Sequence, residues 1–85
     1  MKVEEINFSF AYRKKQIEAN CSKVKPMKVF QYRVFIPSVK EEDEVYIFYE
    51  IKEEKKLFWF DLPDQEKQGK AKAIASCLEQ MIFAD

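Results

Sequence analysis

The chain has 85 residues, of which 47% are hydrophobic and 15% aromatic, enough for one domain with a real core and too few for two. Fifteen Lys and Arg balance fifteen Asp and Glu, and a net charge of zero argues against a protein built chiefly to hold nucleic acid or an anionic membrane. One Gly, three Pro and the lack of any run of 18 apolar residues exclude a low-complexity chain and a membrane-spanning helix, and the Glu4-Glu5 pair stands where a secretion leader needs apolar residues.

Read in chain order, the first two-thirds alternates with the period of a strand. In the first run Ile6, Phe8, Phe10 and Tyr12 share a face, with Asn7, Ser9 and Ala11 opposite, and Arg13-Lys14-Lys15 forms a polar tip. The second run sets Ile17, Ala19 and Cys21 against Gln16, Glu18, Asn20 and Ser22, and its phase slips at Lys23-Val24, where a bulge or the strand end is expected. Phe30, Tyr32, Val34 and Ile36 form the stronger face of the third run, which Pro37-Ser38 ends. After the acidic stretch Glu41-Glu42-Asp43-Glu44, the fourth run places Val45, Ile47, Tyr49 and Ile51 together. A loop of about four residues at Lys52–Lys55, without the Gly or Asn of a tight turn, leads to a fifth run with Phe58, Phe60 and Leu62 in phase.

Beyond Pro63 the period becomes helical, with Ala71, Ile74, Ala75, Leu78, Met81 and Ile82 on one stripe. Asp64 suits the N-cap, and Gly69 marks either the true helix start or a close approach to the sheet. The expected fold is α+β: an antiparallel β-meander of four to five strands, over about 4–12, 16–23, 28–36, 44–52 and 56–62, with one C-terminal α-helix over about 65–83 packed on one face, all in a single domain spanning 1–85.

Chemistry-bearing motifs are absent from the sequence. The chain has no His, and with it goes the commonest general base and metal ligand. Two cysteines make no zinc site, a single Gly makes no phosphate-cradling loop, and no pair of carboxylates is placed in a cleft. No catalysis, no metal and no cofactor are therefore expected. Cys21 and Cys77 both fall in apolar patterns, which reads as two buried free thiols in a reducing cytoplasm.

The zero net charge conceals a division. Residues 1–40 carry nine cations against three acids, residues 41–66 three against ten, and residues 67–85 three against two. A basic, aromatic sheet surface using Arg13, Lys14, Lys15, Lys23, Lys25 and Lys28 is the alternative reading, as a single-stranded nucleic-acid-binding domain. A meander closed by a C-terminal helix is similar in architecture to small dimeric single-strand-binding domains, and that likeness implies the same alternative. Neighbouring acidic tips lie within a Debye length of roughly 8 Å of the basic ones and screen them, so nucleic acid is the less favoured partner.

The leading expectation comes from the second sheet face. If the helix covers Phe8, Phe10, Tyr32, Ile47, Phe58 and Phe60, then Phe35, Tyr46, Phe48, Leu57 and Trp59 are left open, with Arg33 facing Glu50 at the border. Exposed aromatic patches mark interaction sites, unless the sheet twists strongly and the helix end or the N-terminus folds over this one. The chain thus reads as a small cytoplasmic protein-interaction module that binds itself as a homodimer, or another protein, through Trp59, Leu57, Phe48, Tyr46, Phe35 and Arg33 or through the strand-five edge, with no membrane partner.

Overall fold

The computed structural model describes residues 4–26, 28–37 and 43–84; Glu41 and Glu42 of the acidic stretch lie outside the described residues. Five antiparallel strands follow one another in chain order, β1 (Glu4–Tyr12), β2 (Lys15–Val24), β3 (Gln31–Ile36), β4 (Glu44–Ile51) and β5 (Lys56–Phe58), and α1 (Gln65–Ile82) closes the chain. This is the α+β meander with a C-terminal helix that the change of period from two to 3.6 implies.

Each element starts and stops for a local reason. Tyr12 pairs with Lys15, so Arg13 and Lys14 make a two-residue hairpin with φ of 50° and 63°, the left-handed pair that suits the twist of the flanking strands. β2 ends at Val24, where its alternation slips, and no bulge interrupts its register with β1. Lys52–Glu54 form a 3-10 turn closed by Lys55 at φ 54°, which reverses the chain into β5. The Asp64 carboxylate accepts the Glu66 N–H at 2.8 Å and caps α1.

The helix buries Ala71, Ile74, Ala75 and Leu78 against the sheet. It touches both β1 and β5, the outer strands of the order, so the sheet curls around it. Gly69 lies inside the helix, and its role is close approach: a Cβ there would stand 3.0 Å from the Tyr12 hydroxyl and 3.2 Å from its ring. Tyr12 rests on that bare backbone and donates to the Glu66 carbonyl at 3.3 Å.

The strands divide into those whose faces the alternation assigns correctly and those it inverts. Phe10, Ala19, Cys21, Tyr32, Val34 and Ile36 all face the helix and are buried. In β4 and β5 the expectation fails: Tyr46, Phe48 and Leu57 are buried under the helix, at 4%, 0% and 5% exposure, while Ile47, Phe58 and Phe60 lie on the outer face. Register is the cause. Directly opposed residues of an antiparallel pair share a face. Tyr32 pairs with Phe48 and Val34 with Tyr46, and Glu50 pairs with Leu57, so the orientation of β3 is handed on to β4 and β5. The inversion also puts the larger rings of β4 inside, and full burial of such a side chain is worth about 1.5–3 kcal/mol.

Candidate interaction surface

Buried polar groups on the helix side have local partners. The Tyr32 hydroxyl donates to Glu50 Oε1 at 2.8 Å and the Tyr46 hydroxyl to Glu44 Oε1 at 2.5 Å. Burial, followed by the adjoining carboxylate, drives both phenols well above their ordinary range. Burial alone would raise the Glu44 carboxyl, but bonds from Tyr46 and from Lys70 Nζ at 2.9 Å outweigh it and hold Glu44 below its ordinary value. Cys21 is fully buried and burial pushes its thiol up to about 11, so it is an inert packing group. Cys77 is half-buried rather than buried; both thiols are free.

Trp59 is covered by its own chain. Its ring stands edge-on to Phe48 with centroids 5.7 Å apart, and its Nε1–H donates to Gln68 Oε1 of the helix at 3.4 Å. The same oxygen accepts the Leu62 N–H at 3.1 Å. The chain therefore leaves the sheet after Phe58, and β5 is shorter than the 56–62 expected: Leu62 turns inward to pack against the core ahead of the helix.

Of the six residues expected to bind a partner, Tyr46, Phe48 and Leu57 are thus core, Trp59 is half-buried against the helix, and Phe35 and Arg33 stand on the outer face. The expected Arg33–Glu50 pair is corrected too. Glu50 lies on the helix side with Tyr32, whereas Arg33 lies on the outer face and donates from Nε to Gln31 Oε1 at 2.7 Å.

The outer face still carries an apolar patch, built from other residues. Phe35, Val45, Ile47, Phe58 and Phe60 are 38%, 59%, 42%, 37% and 69% exposed. Register makes them contiguous: Phe35 opposes Val45, Arg33 opposes Ile47, and Tyr49 opposes Phe58. Phe60 stacks edge-on against both Tyr49 and Phe58, at 5.8 and 5.2 Å between centroids. Arg33 and Lys56 stand on the same face. Across β1 and β2 this face turns polar, with Asn20 donating to Asn7 at 2.8 Å and Gln16 to Ser9 at 2.8 Å.

Sequence reasoning missed Val45, Ile47, Tyr49, Phe58 and Phe60 as surface residues. One signal for them was present. A buried Tyr needs a hydrogen-bond partner, and Tyr46 has Glu44 two residues away on its own face, whereas Val45 and Ile47 need nothing.

The basic residues separate into two groups. Arg13, Lys14 and Lys15 lie at the β1–β2 hairpin, where Arg13 stacks 5.3 Å from the Tyr12 centroid and stands 4.0 Å from Glu66. Lys23, Lys25 and Lys28 lie at the far end of β2, about 25 Å away along the strand, with Lys23 and Lys25 placed 4.2 and 4.9 Å over the Phe30 ring.

Helix side chains reach one backbone group on each outer strand. Leu57 N–H points away from β4 and donates to Glu79 Oε2 at 2.8 Å, and the Cys77 thiol donates to the Ser9 carbonyl of β1 at 3.6 Å. Among the described residues no group of His, Cys, Asp and Glu side chains is arranged to hold a metal ion, and no helix is long and apolar enough to cross a membrane. No family model, no curated protein and no solved structure matches this chain.

Proposed function

We propose that the chain is a small interaction module that associates with a second copy of itself through the apolar half of its outer sheet face. The observation that carries this reading is the contiguous exposure of Phe35, Val45, Ile47, Phe58 and Phe60. A large apolar side chain offers on the order of 150–250 Å², so these exposed fractions together present on the order of 500 Å², the size at which a patch is usually functional. With Tyr49 and the stems of Arg33 and Lys56 at the border, the surface approaches the roughly 800 Å² per partner of a stable complex.

A second copy fits better than a charged partner. The patch is nearly free of formal charge, and the chain is neutral in total, so two copies approach without net repulsion. Two free thiols suit a reducing cytoplasmic setting. Multi-angle light scattering at micromolar concentration tests the reading. A mass of twice 10.2 kDa is expected, and a single-chain mass that persists as concentration rises a hundredfold would overturn it.

A further inference from the structure

The apolar patch of the outer face is not flat. Toward β5 it carries a knob and a hole side by side. The knob is Phe60, which at 69% is the most exposed large apolar side chain among the described residues. β5 ends at Phe58, so Phe60 has no strand partner on β4. It stands instead edge-on to Tyr49 and Phe58, with centroids 5.8 and 5.2 Å away.

The hole is a slot of 210 Å³ between β4 and the departing segment. Val45, Ile47 and Tyr49 form its mouth on the outer face, and Trp59, Leu62 and Ala71 lie in its depth on the helix side. No residue that lines it carries a formal charge. Its deeper polar groups are already taken, the Tyr46 hydroxyl by Glu44 and the Trp59 indole N–H by Gln68. The occupant that suits it is therefore apolar. Size narrows the choice further. An apolar cavity of about 150 Å³ accepts a benzene ring, so this slot takes the side chain of a phenylalanine. Phe60 of the same chain does not supply it, because Tyr49 and Phe58 hold that ring in the wall of the slot.

We propose that a second copy of the chain supplies the ring, each Phe60 entering the slot of the other copy. The inference rests on the self-association proposed above and adds what the second copy contributes to the site. A knob and a hole on one face are what an isologous contact needs, because a two-fold axis lying in the interface between them makes both insertions at once. Area argues the same way. A flat contact over a patch on the order of 500 Å² falls short of the roughly 800 Å² per partner of a stable complex. Insertion narrows that gap, since it buries the exposed flank of Phe60 and the walls of the slot together.

The chain's single tryptophan lines the slot and reports on it. Trp59 emission is expected to move to shorter wavelength over the concentration range in which sedimentation shows the dimer forming. Phe60→Ala should weaken the dimer roughly a hundredfold, because two central rings are lost at once, and should hold Trp59 emission at its monomer value. Phe60→Tyr keeps the ring but carries a hydroxyl into a slot with no partner for it, and should weaken the dimer about tenfold. In a dimer mixed from ¹³C-labelled and unlabelled copies, NOEs are expected between the Phe60 ring of one copy and the Ala71 methyl of the other. Should Phe60→Ala unfold, Phe60→Tyr and the NOEs decide. Failure of this inference and failure of self-association are told apart by the unmodified chain: if it stays monomeric at every concentration, both fall. A dimer that Ile47→Lys dissociates but Phe60→Ala leaves at full strength, or one whose intermolecular NOEs join Phe60 only to Phe35, overturns the exchange of rings and keeps the shared face. Toluene should compete with the dimer; toluene that shifts the Ala71 methyl signal and leaves the dimer intact would make the slot a small-ligand site and overturn the exchange as well.

Discussion

The outer face of the sheet is two surfaces. Over β1 and β2 it is a lattice of short polar side chains bonded to one another, Asn7 with Asn20 and Ser9 with Gln16. Over β3 to β5 it is a set of large apolar side chains that only partly cover one another. Both halves lie on one continuous sheet and give buried residues to the same core, Phe10, Ala19 and Cys21 from one and Tyr32, Val34, Tyr46 and Phe48 from the other. Folding therefore does not require the difference. A polar outer face suffices for β1 and β2, and what the apolar half gains must come from outside the fold, which is why we read it as a contact surface.

The sharpest way to break that comparison is within β4, where the two faces alternate. Phe48→Ala should cost about 3–5 kcal/mol in urea unfolding. Ile47→Ala, measured at a dilution where the chain is monomeric, should cost less than about 1 kcal/mol. A comparable loss at both positions would make Ile47 core and dissolve the distinction.

The inner face of the polar half can be tested through Cys21. Its folded value is raised from 9.0 to about 11, so the protonated thiol is favoured in the folded state. Stability from this group is present below pH 9 and is lost as pH rises from 9 to about 11, by on the order of 3 kcal/mol. Cys21→Ala should remove that alkaline loss. An unchanged pH profile would show that the thiol is not in a dry core.

Smaller effects belong to the outer polar lattice. Asn20→Ala should cost about 1 kcal/mol, the worth of one net hydrogen bond, and leave the association state unchanged. At the hairpin, Lys14 holds a φ of 63°. Lys14→Gly relieves that left-handed conformation, and thermal unfolding should show a gain of about 0.5–1 kcal/mol.

How far the sequence carried depends on the strand. In β1 to β3 one face is plainly the stronger: Phe8 and Phe10 stand against Asn7 and Ser9, and Tyr32 and Val34 against Gln31 and Arg33. There the alternation finds the core. The helix and its Asp64 cap were legible for similar reasons, since each is a local requirement of residue type, whereas Gly69 stood open between a helix start and a close approach until its contact with Tyr12 decided it. In β4 both faces are apolar, Val45 and Ile47 on one and Tyr46 and Phe48 on the other, so period two names the faces without saying which is inside. That choice is made by register with β3, and the stretch from Pro37 to Glu44 carries no tight-turn signature to fix it. The shortness of β5 was hidden because its cause, Gln68 reaching back to Leu62, is a tertiary contact. An apolar patch on β3 to β5 was therefore expected, but on the wrong face of β4 and β5: Phe35 and Arg33 of β3 stand on the outer face, while Tyr46, Phe48, Leu57 and Trp59 pack on the helix side.

The most direct measurement is sedimentation equilibrium on three chains: the unmodified one, Ile47→Lys on the apolar half and Asn20→Lys on the polar half. Self-association through the apolar half predicts a dimer for the unmodified chain, a dimer for Asn20→Lys and a folded monomer for Ile47→Lys. A monomer in all three, or dissociation by Asn20→Lys with Ile47→Lys still dimeric, would contradict it.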